Sequence, residues 1–212
     1  ANYVRNMVKN GTIDAPDLIT CGRAIMPASE GDGSWPMAKH IALSDGGQEV
    51  LKNARTEIGM GADFVKIFAS GAAANPAGQV DQSIMMPEEI RSAVEAASRK
   101  GTYVAAHCHA DGAIRSCVEN GVYTIEHATL MKDETLEKLI ALDGKVRLIP
   151  TLAVMYIADG PRKAYWQARL GPMFDHCTAM MERAYHAGMV LGFGTDCAAG
   201  SFEYENGIEF RF

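Results

Sequence analysis

The residues best suited to chemistry stand at or near the ends of apolar runs. His107 and His109 form a His-x-His pair, and on a β-strand such a pair places both imidazoles on one face, where they can share a metal ion. His127 ends the next apolar run, and Asp196 ends the last one. Each residue alone also fits a structural role, such as a core histidine or an Asx-turn aspartate. Together they favour a metal site.

Lys66 is the unusual member of this set, because it lies inside the apolar run Phe-Val-Lys-Ile-Phe. A buried lysine is costly unless it is paired or chemically changed. It could extend from a strand end towards solvent or pair with an acid. Alternatively, a neutral amine could take up CO2 as a carbamate, a carboxylate-like group that can bridge two cations. The residue pattern leaves these options open.

A repeated unit of helix, glycine and strand would position these residues. The apolar periodicity predicts six strands, five of them preceded by helices. The predicted strands cover residues 17–21, 63–68, 102–107, 122–127, 146–152 and 189–195. Strands that alternate with helices indicate parallel βα units, either in an open doubly wound sheet or in a (β/α)8 TIM barrel. The sequence lacks a glycine-rich phosphate turn, and its polar residues collect at several strand ends, so we expect the barrel.

The length predicts an incomplete barrel. A complete one needs eight strands and about 250 residues, whereas this sequence has 212 residues and six predicted strands. We therefore expect residues 1–212 to form one partial catalytic barrel domain, equivalent to strands 3–8. The sequence begins Ala-Asn-Tyr-Val-Arg, without Met. We expect it to be cut or processed from a longer protein.

The composition indicates which binding partners and which cellular location to expect. The sequence is 48% hydrophobic and 22% charged, with a net charge of −6. It holds no dense basic run and no apolar run of membrane-spanning length, so we expect neither nucleic-acid nor membrane binding. Five cysteines without a Cys-x-x-Cys motif predict reduced thiols and a cytoplasmic location, unless a signal peptide precedes these residues.

The order of four motifs resembles the amidohydrolase superfamily. These motifs are Val-Lys-Ile around Lys66, Ala-His-x-His at His107, Ile-Glu-His at His127 and Phe-Gly-Thr-Asp at Asp196. More closely, the sequence resembles the imidazolonepropionase-like and prolidase-like branch of metal-dependent hydrolases. The resemblance covers nearly the whole sequence, and it is far more specific for the superfamily than for the substrate.

The resemblance implies a role for each motif residue. Lys66 would be carboxylated and would bridge two divalent metal ions, most simply zinc. His107 and His127 would bind the second metal, and Asp196 would bind the first and act as general base. His109 would face the substrate rather than ligate a metal, and it could stabilise the oxyanion during hydrolysis of an amide or other C–N bond by metal-activated hydroxide.

The sequence also departs from the family pattern. The family's own His-x-His at the end of strand 1, strand 2 and the small β-sandwich domain are absent. The first metal would lack two ligands, so we expect this polypeptide by itself to be inactive and assign the function to its parent protein.

Substrate residues are sought in the loops that follow the strands. His40, Tyr156, Arg162 and Arg169 are candidates, the last three as partners for a substrate carboxylate; the alternative for the two arginines is a solvated helix charge. A dipeptidase or carboxypeptidase of the prolidase type is the leading hypothesis. The expected partner is therefore a dipeptide or another small molecule, and a homo-oligomer is compatible with the resemblance.

Three alternatives remain. One is an imidazolonepropionase-like hydrolase of cyclic amides that needs one metal. Another is a catalytically silent truncated barrel that serves as a scaffold. The third is a Schiff-base lyase that uses Lys66, against which the His, His and Asp set argues.

Overall fold

Six short parallel strands form one sheet in the computed structural model, which describes residues 2–30, 38–75, 78–156, 163–196 and 208–211. The strands are β1 (Ala24–Met26), β2 (Ile41–Leu43), β3 (Val65–Phe68), β4 (Val104–Cys108), β5 (Thr124–His127) and β6 (Arg147–Ile149). The helices are α1 (Asn2–Lys9), α2 (Gly46–Gly59), α3 (Pro87–Ser98), α4 (Asp111–Glu119), α5 (Asp133–Ala141), α6 (Leu152–Tyr156), α7 (Lys163–Leu170) and α8 (Phe174–His186).

The strand order is β2-β1-β3-β4-β5-β6, and every pairing is parallel. From β3 to β6, spatial neighbours are also consecutive along the chain, and a helix joins each pair. This arrangement confirms the predicted α/β fold as an incomplete (β/α) barrel. None of the described helices is both long and apolar enough to cross a membrane.

The two faces of the sheet differ, because side chains alternate along each strand. Val65, Ile67, Ala106, Ile125 and Leu148 face the helices and are almost completely buried. Ile90 of α3, Ile114 of α4 and Leu136 of α5 complete this core from the helix side. The other face carries Lys66, His107 and Glu126 and lines a cavity. The apolar core therefore fixes the strands whose opposite face holds the polar groups.

Local signals explain where the helices begin and end. Helix α3 begins with Pro87, and the Glu89 carboxylate accepts a hydrogen bond from the Met86 backbone N–H at 2.8 Å. Glu89 also accepts the Gly46 N–H at 2.7 Å, which ties α3 to the beginning of α2. Gly101 follows α3 with a φ of 68°, a left-handed conformation that glycine adopts without a Cβ penalty at the end of a helix.

The first and last predicted strands need correction. Residues 17–21 form no strand, because Asp63 binds the Thr20 backbone N–H through its side chain at 2.8 Å and Gly22 turns the chain with a φ of 70°. The strand begins later, at Ala24. The predicted strand 189–195 is reduced to a single parallel bridge between Leu191 and Leu148. Strand β2 was not predicted; it has three residues, and no α-helix is described before it to mark a βα repeat.

Candidate metal centre

A cavity of about 460 Å³ runs along the inner face of the sheet and reaches the carboxyl ends of β3, β4 and β5. Its lining includes the amine, imidazole and carboxylate side chains of Lys66, His107, His109, Glu126, His127 and Asp196, together with His40 and the Cys21 thiol. The structure therefore brings together the four residues for which the sequence predicted metal ligation. It adds one carboxylate, Glu126, that was not among the predicted ligands.

Three imidazoles form the centre of the cavity. The ring centroids of His107, His109 and His127 lie 4.6 to 4.7 Å apart, and each residue is at most 6% exposed. One ligand atom from each ring lies within 4.8 Å of those of the other two. His109 is thus as close to the group as the two predicted ligands, and the geometry does not separate its role from theirs.

The environment keeps these imidazoles neutral. Burial lowers the pKa of His109 to about 3, and the nearby charges of Arg169 and Lys66 act in the same direction. Burial also holds the pKa values of His107 and His127 well below their ordinary range, with further lowering from the neighbouring histidines and Lys66. A neutral imidazole has the lone pair that a metal ion needs.

Hydrogen bonds orient the rings. The Nδ1 atom of His109 lies 2.8 Å from the Thr129 hydroxyl, and the Nδ1 atom of His127 lies 2.7 Å from the Thr151 hydroxyl. Each bond fixes the ring and leaves Nε2 as the nitrogen available to a cation. His107 differs, since its Nε2 lies 3.3 Å from the Gly71 carbonyl oxygen.

The backbone at the end of β5 turns His127 into the cavity. In a regular strand His127 would share the helix-facing side of Ile125, two residues earlier. It instead has a φ of 70°, and Ala128 follows with a φ of 52°. Asp196 has a φ of 50°. Left-handed backbone at non-glycine residues costs energy and is concentrated at functional sites.

Lys66 forms an ion pair with Glu126 across the cavity. This is one of the alternatives that the sequence left open. Burial lowers the pKa of the Lys66 amine to about 8, while the Asp196 carboxylate opposes that shift. Burial raises the pKa of Asp196, and Lys66 acts against it. The alternation along β5, which sets Glu126 on the face opposite Ile125, was the sequence signal that could have found this partner.

The predicted substrate residues have different outcomes. His40 is exposed and lines the cavity. Tyr156 is the last residue of α6, and its side chain lies outside the described part of the structure, as does all of Arg162. Arg169 donates hydrogen bonds to the backbone carbonyls of Asn75, at 3.0 Å, and Gly78, so it holds the loop after β3.

Comparison with known proteins finds a match to one protein family. The model of the amidohydrolase family matches residues 1–208. Ochratoxinase from Aspergillus niger is 27% identical to this chain over an alignment 222 residues long. The alignment covers 93% of this chain and 46% of that protein.

Two solved structures share the fold closely. An amidohydrolase structure is 29% identical with a TM-score of 0.84 and covers 95% of this chain and 53% of its own. The structure of a prolidase complexed with N-methylphosphonate-L-proline is 28% identical with a TM-score of 0.82. The match covers 94% of this chain and 53% of the prolidase chain. The chain therefore spans about half the length of these relatives.

Proposed function

The chain belongs to the amidohydrolase family, and from this premise we propose that it carries the metal-binding half of an enzyme that hydrolyses an amide or related C–N bond. The observation that supports this function most directly is the convergence of Lys66, His107, His127 and Asp196 on one cavity. These residues come from four separate segments of the sequence. Their meeting at the carboxyl ends of parallel strands is typical of barrel active sites.

The residues present fit a divalent cation. The buried neutral imidazoles of His107 and His127 offer nitrogen ligands within 4.8 Å of one another, and Asp196 offers an oxygen ligand in the same cavity. Mixed nitrogen and oxygen ligands suit zinc, and manganese or iron would also be accepted. When bound, the cation would polarise the substrate carbonyl and make a water molecule more acidic.

We assign the proton transfers to Asp196. Its carboxyl has a raised pKa because of burial, so it can take the proton of the attacking water and pass it to the leaving amine. His109 would donate its Nε2–H to the oxyanion, provided that the Thr129 hydroxyl donates to Nδ1. A threonine hydroxyl can either donate or accept, which permits this tautomer.

Zinc binding tests the site itself. The metal-free protein is titrated with zinc against a chromophoric chelator, alongside His127→Ala and His107→Ala. Each variant should lose at least tenfold in affinity, because it removes one ligand. The control is His186→Ala, which removes an imidazole that is 71% exposed on α8. Equal affinity in all four proteins would contradict the proposed site.

We further propose that Lys66 is carboxylated in a protein of full family length and bridges two cations there. The support is a lysine with a pKa lowered to about 8 in the same cavity as the histidines. Lys66→Ala should abolish binding of the second metal equivalent, and short carboxylic acids should partly restore it by replacing the carbamate. Elemental analysis measures the stoichiometry. Two retained metal ions in the variant without any additive would contradict the bridge.

We propose a prolidase-like substrate, a dipeptide. Support comes from the resemblance to a prolidase structure at 28% identity. His40, Tyr156 and Arg162 remain the candidate substrate contacts. Hydrolysis of Xaa-Pro dipeptides by a protein of full family length, compared with that of cyclic amides, tests this choice.

A one-metal hydrolase of cyclic amides is the second candidate, since the three-histidine group would suit a single ion. Turnover of cyclic amides with one bound metal would favour it. Absence of both metal binding and turnover would favour a silent scaffold.

A further inference from the structure

The Glu209 carboxylate is buried against the beginning of α6, away from the reacting groups assigned above. Its residue is 7% exposed and belongs to the short 3₁₀ helix Ile208–Arg211. Oε1 accepts the Leu152 backbone N–H at 2.6 Å, and Oε2 accepts the Ala153 N–H at 2.7 Å. A buried carboxylate that takes two short backbone hydrogen bonds fixes the position of both amides.

These amides are joined to the cavity by one residue. Thr151 immediately precedes Leu152, is 4% exposed, and places its hydroxyl 2.7 Å from Nδ1 of His127. The Leu152 N–H and the Thr151 carbonyl and Cα belong to one planar peptide group. A hydrogen bond that fixes the Leu152 N–H therefore also fixes the positions of the Thr151 carbonyl and Cα. Movement of the first turn of α6 would therefore move the hydroxyl that orients His127.

A second contact reaches His127 from α8. The Cys177 Sγ atom lies 3.7 Å from the His127 carbonyl oxygen and donates to it. Burial, followed by the Glu209 carboxylate, raises the pKa of the Cys177 thiol to about 12, which keeps the S–H donor. Glu209 thus lies close to both groups that hold His127, one at the ring and one at the backbone.

His127 needs such support because of its own backbone. A φ of 70° is unfavourable for a residue with a Cβ, and it persists only where surrounding contacts hold it.

We propose that Glu209 is a positioning residue for His127: its carboxylate anchors residues 152–153 and thereby holds Thr151 against the imidazole. The inference rests on the proposed function, because a cation is what the oriented ring would bind. Glu209 itself would not touch the metal or the substrate.

Glu209→Gln tests the anchor with little change in volume. The amide has a single acceptor oxygen, so one of the two backbone N–H groups would face an NH2 group instead. Groups that orient metal ligands typically contribute ten- to hundredfold in metal affinity. We expect a loss in that range for Glu209→Gln and for Thr151→Val, whereas Thr151→Ser should stay within about threefold of wild type. The control is Glu182→Gln, an exposed carboxylate on α8.

Two readouts are needed. Zinc affinity is measured by competition with a chelator, and the ring 15N signals of His127 are recorded in the metal-free protein. Glu209→Gln should shift the His127 signals more than those of His107 and His109, because only His127 is held by Thr151. A merely destabilising change would lower the melting temperature and leave the folded His127 signals unchanged.

The outcomes separate this inference from the function on which it rests. Wild-type zinc affinity together with unchanged His127 signals in Glu209→Gln would overturn the inference. Failure of the wild-type protein to bind zinc would overturn the proposed function, and the 15N signals would then decide the positioning role. If Glu209→Gln does not fold, Glu209→Asp replaces it, since a shorter carboxylate cannot reach both amides.

Discussion

Neutral imidazoles inside a small cavity make the folded protein sensitive to acid. An unfolded histidine takes up a proton near pH 6.5, whereas folded His109 does so only near pH 3. Between these values the unfolded chain binds more protons than the folded one, so stability falls as the pH is lowered below 6.5. The same sign applies to His107 and His127, whose pKa values are also lowered by burial.

His109→Gln should make this acid sensitivity smaller. Each such histidine contributes about 1.4 kcal/mol of lost stability per pH unit below 6.5. We therefore expect the free energy of unfolding of the metal-free protein, measured in urea, to fall between pH 7.5 and pH 5.5 by about 1 kcal/mol less in the variant than in the wild type. The carboxylates contribute equally to the pH dependence of stability in both proteins, so their contribution cancels in the difference. His186→Gln, exposed on α8, is the control, and an unchanged pH dependence in His109→Gln would contradict the protonation argument.

At the level of single residues, the sequence predicted which side chains meet in one cavity better than it predicted how each is oriented. The two-residue period put His107 and His109 on one face, and the structure places their rings 4.6 Å apart. His127 could not be oriented in this way, because its inward direction depends on a φ of 70° that no local signal indicates. The Glu126 partner of Lys66 could have been found, since alternation alone sets it on the cavity face.

The loop after β3 contacts the cavity closely at Gly71. The Gly71 carbonyl lies 3.3 Å from Nε2 of His107, and the Gly71 N–H donates to the Gln82 carbonyl at 3.2 Å. A Cβ at residue 71 would overlap the backbone of Gln79, whose N atom lies 2.8 Å from that position. Backbone cannot rotate aside as a side chain can, so the loop would have to move.

Gly71→Ala should therefore reduce stability by about 1–3 kcal/mol, the usual cost of overpacking. It should also weaken zinc binding, because the shifted loop carries the carbonyl that contacts His107. Urea unfolding and chelator competition measure the two effects. Gly59→Ala is the matched control, since among the described residues no atom beyond its chain neighbours and its own helix backbone lies within 4 Å of the added Cβ, and α2 favours alanine. Equal stability of both variants would show that the loop adapts without cost.

The success of the strand predictions followed the alternation of helices and strands. β3, β5 and β6 lie within their predicted ranges, and β4 extends one residue beyond its range, to Cys108; each of these strands has a buried apolar pattern and a helix on either side. β2 has three residues, as β6 does, but no α-helix is described between β1 and β2. The predicted strand at residues 17–21 is apolar in part, but Thr20 is held by both the side chain and the backbone N–H of Asp63, and residues 17–21 belong to no described strand. Tertiary contacts of this kind leave no mark in local sequence.

At the level of the whole molecule, the number of ligands limits the chemistry. The sequence contains six histidines and one His-x-His pair. We expect this 212-residue chain to bind one zinc ion and to leave Xaa-Pro dipeptides intact, because a second ion would lack imidazole ligands. Elemental analysis and a dipeptide assay on the purified chain measure both. Two bound ions, or turnover by this chain alone, would refute the expectation.

The two histidine–threonine contacts have a consequence for recombination. His109 follows β4 and is held by Thr129, which follows β5; His127 ends β5 and is held by Thr151, which follows β6. The support for each ring thus comes from the next βα repeat. A chimaera that took one repeat from a relative lacking the matching hydroxyl would leave a ring of the neighbouring repeat without its support. Exchanging adjacent repeats as a linked pair keeps each imidazole with its own threonine.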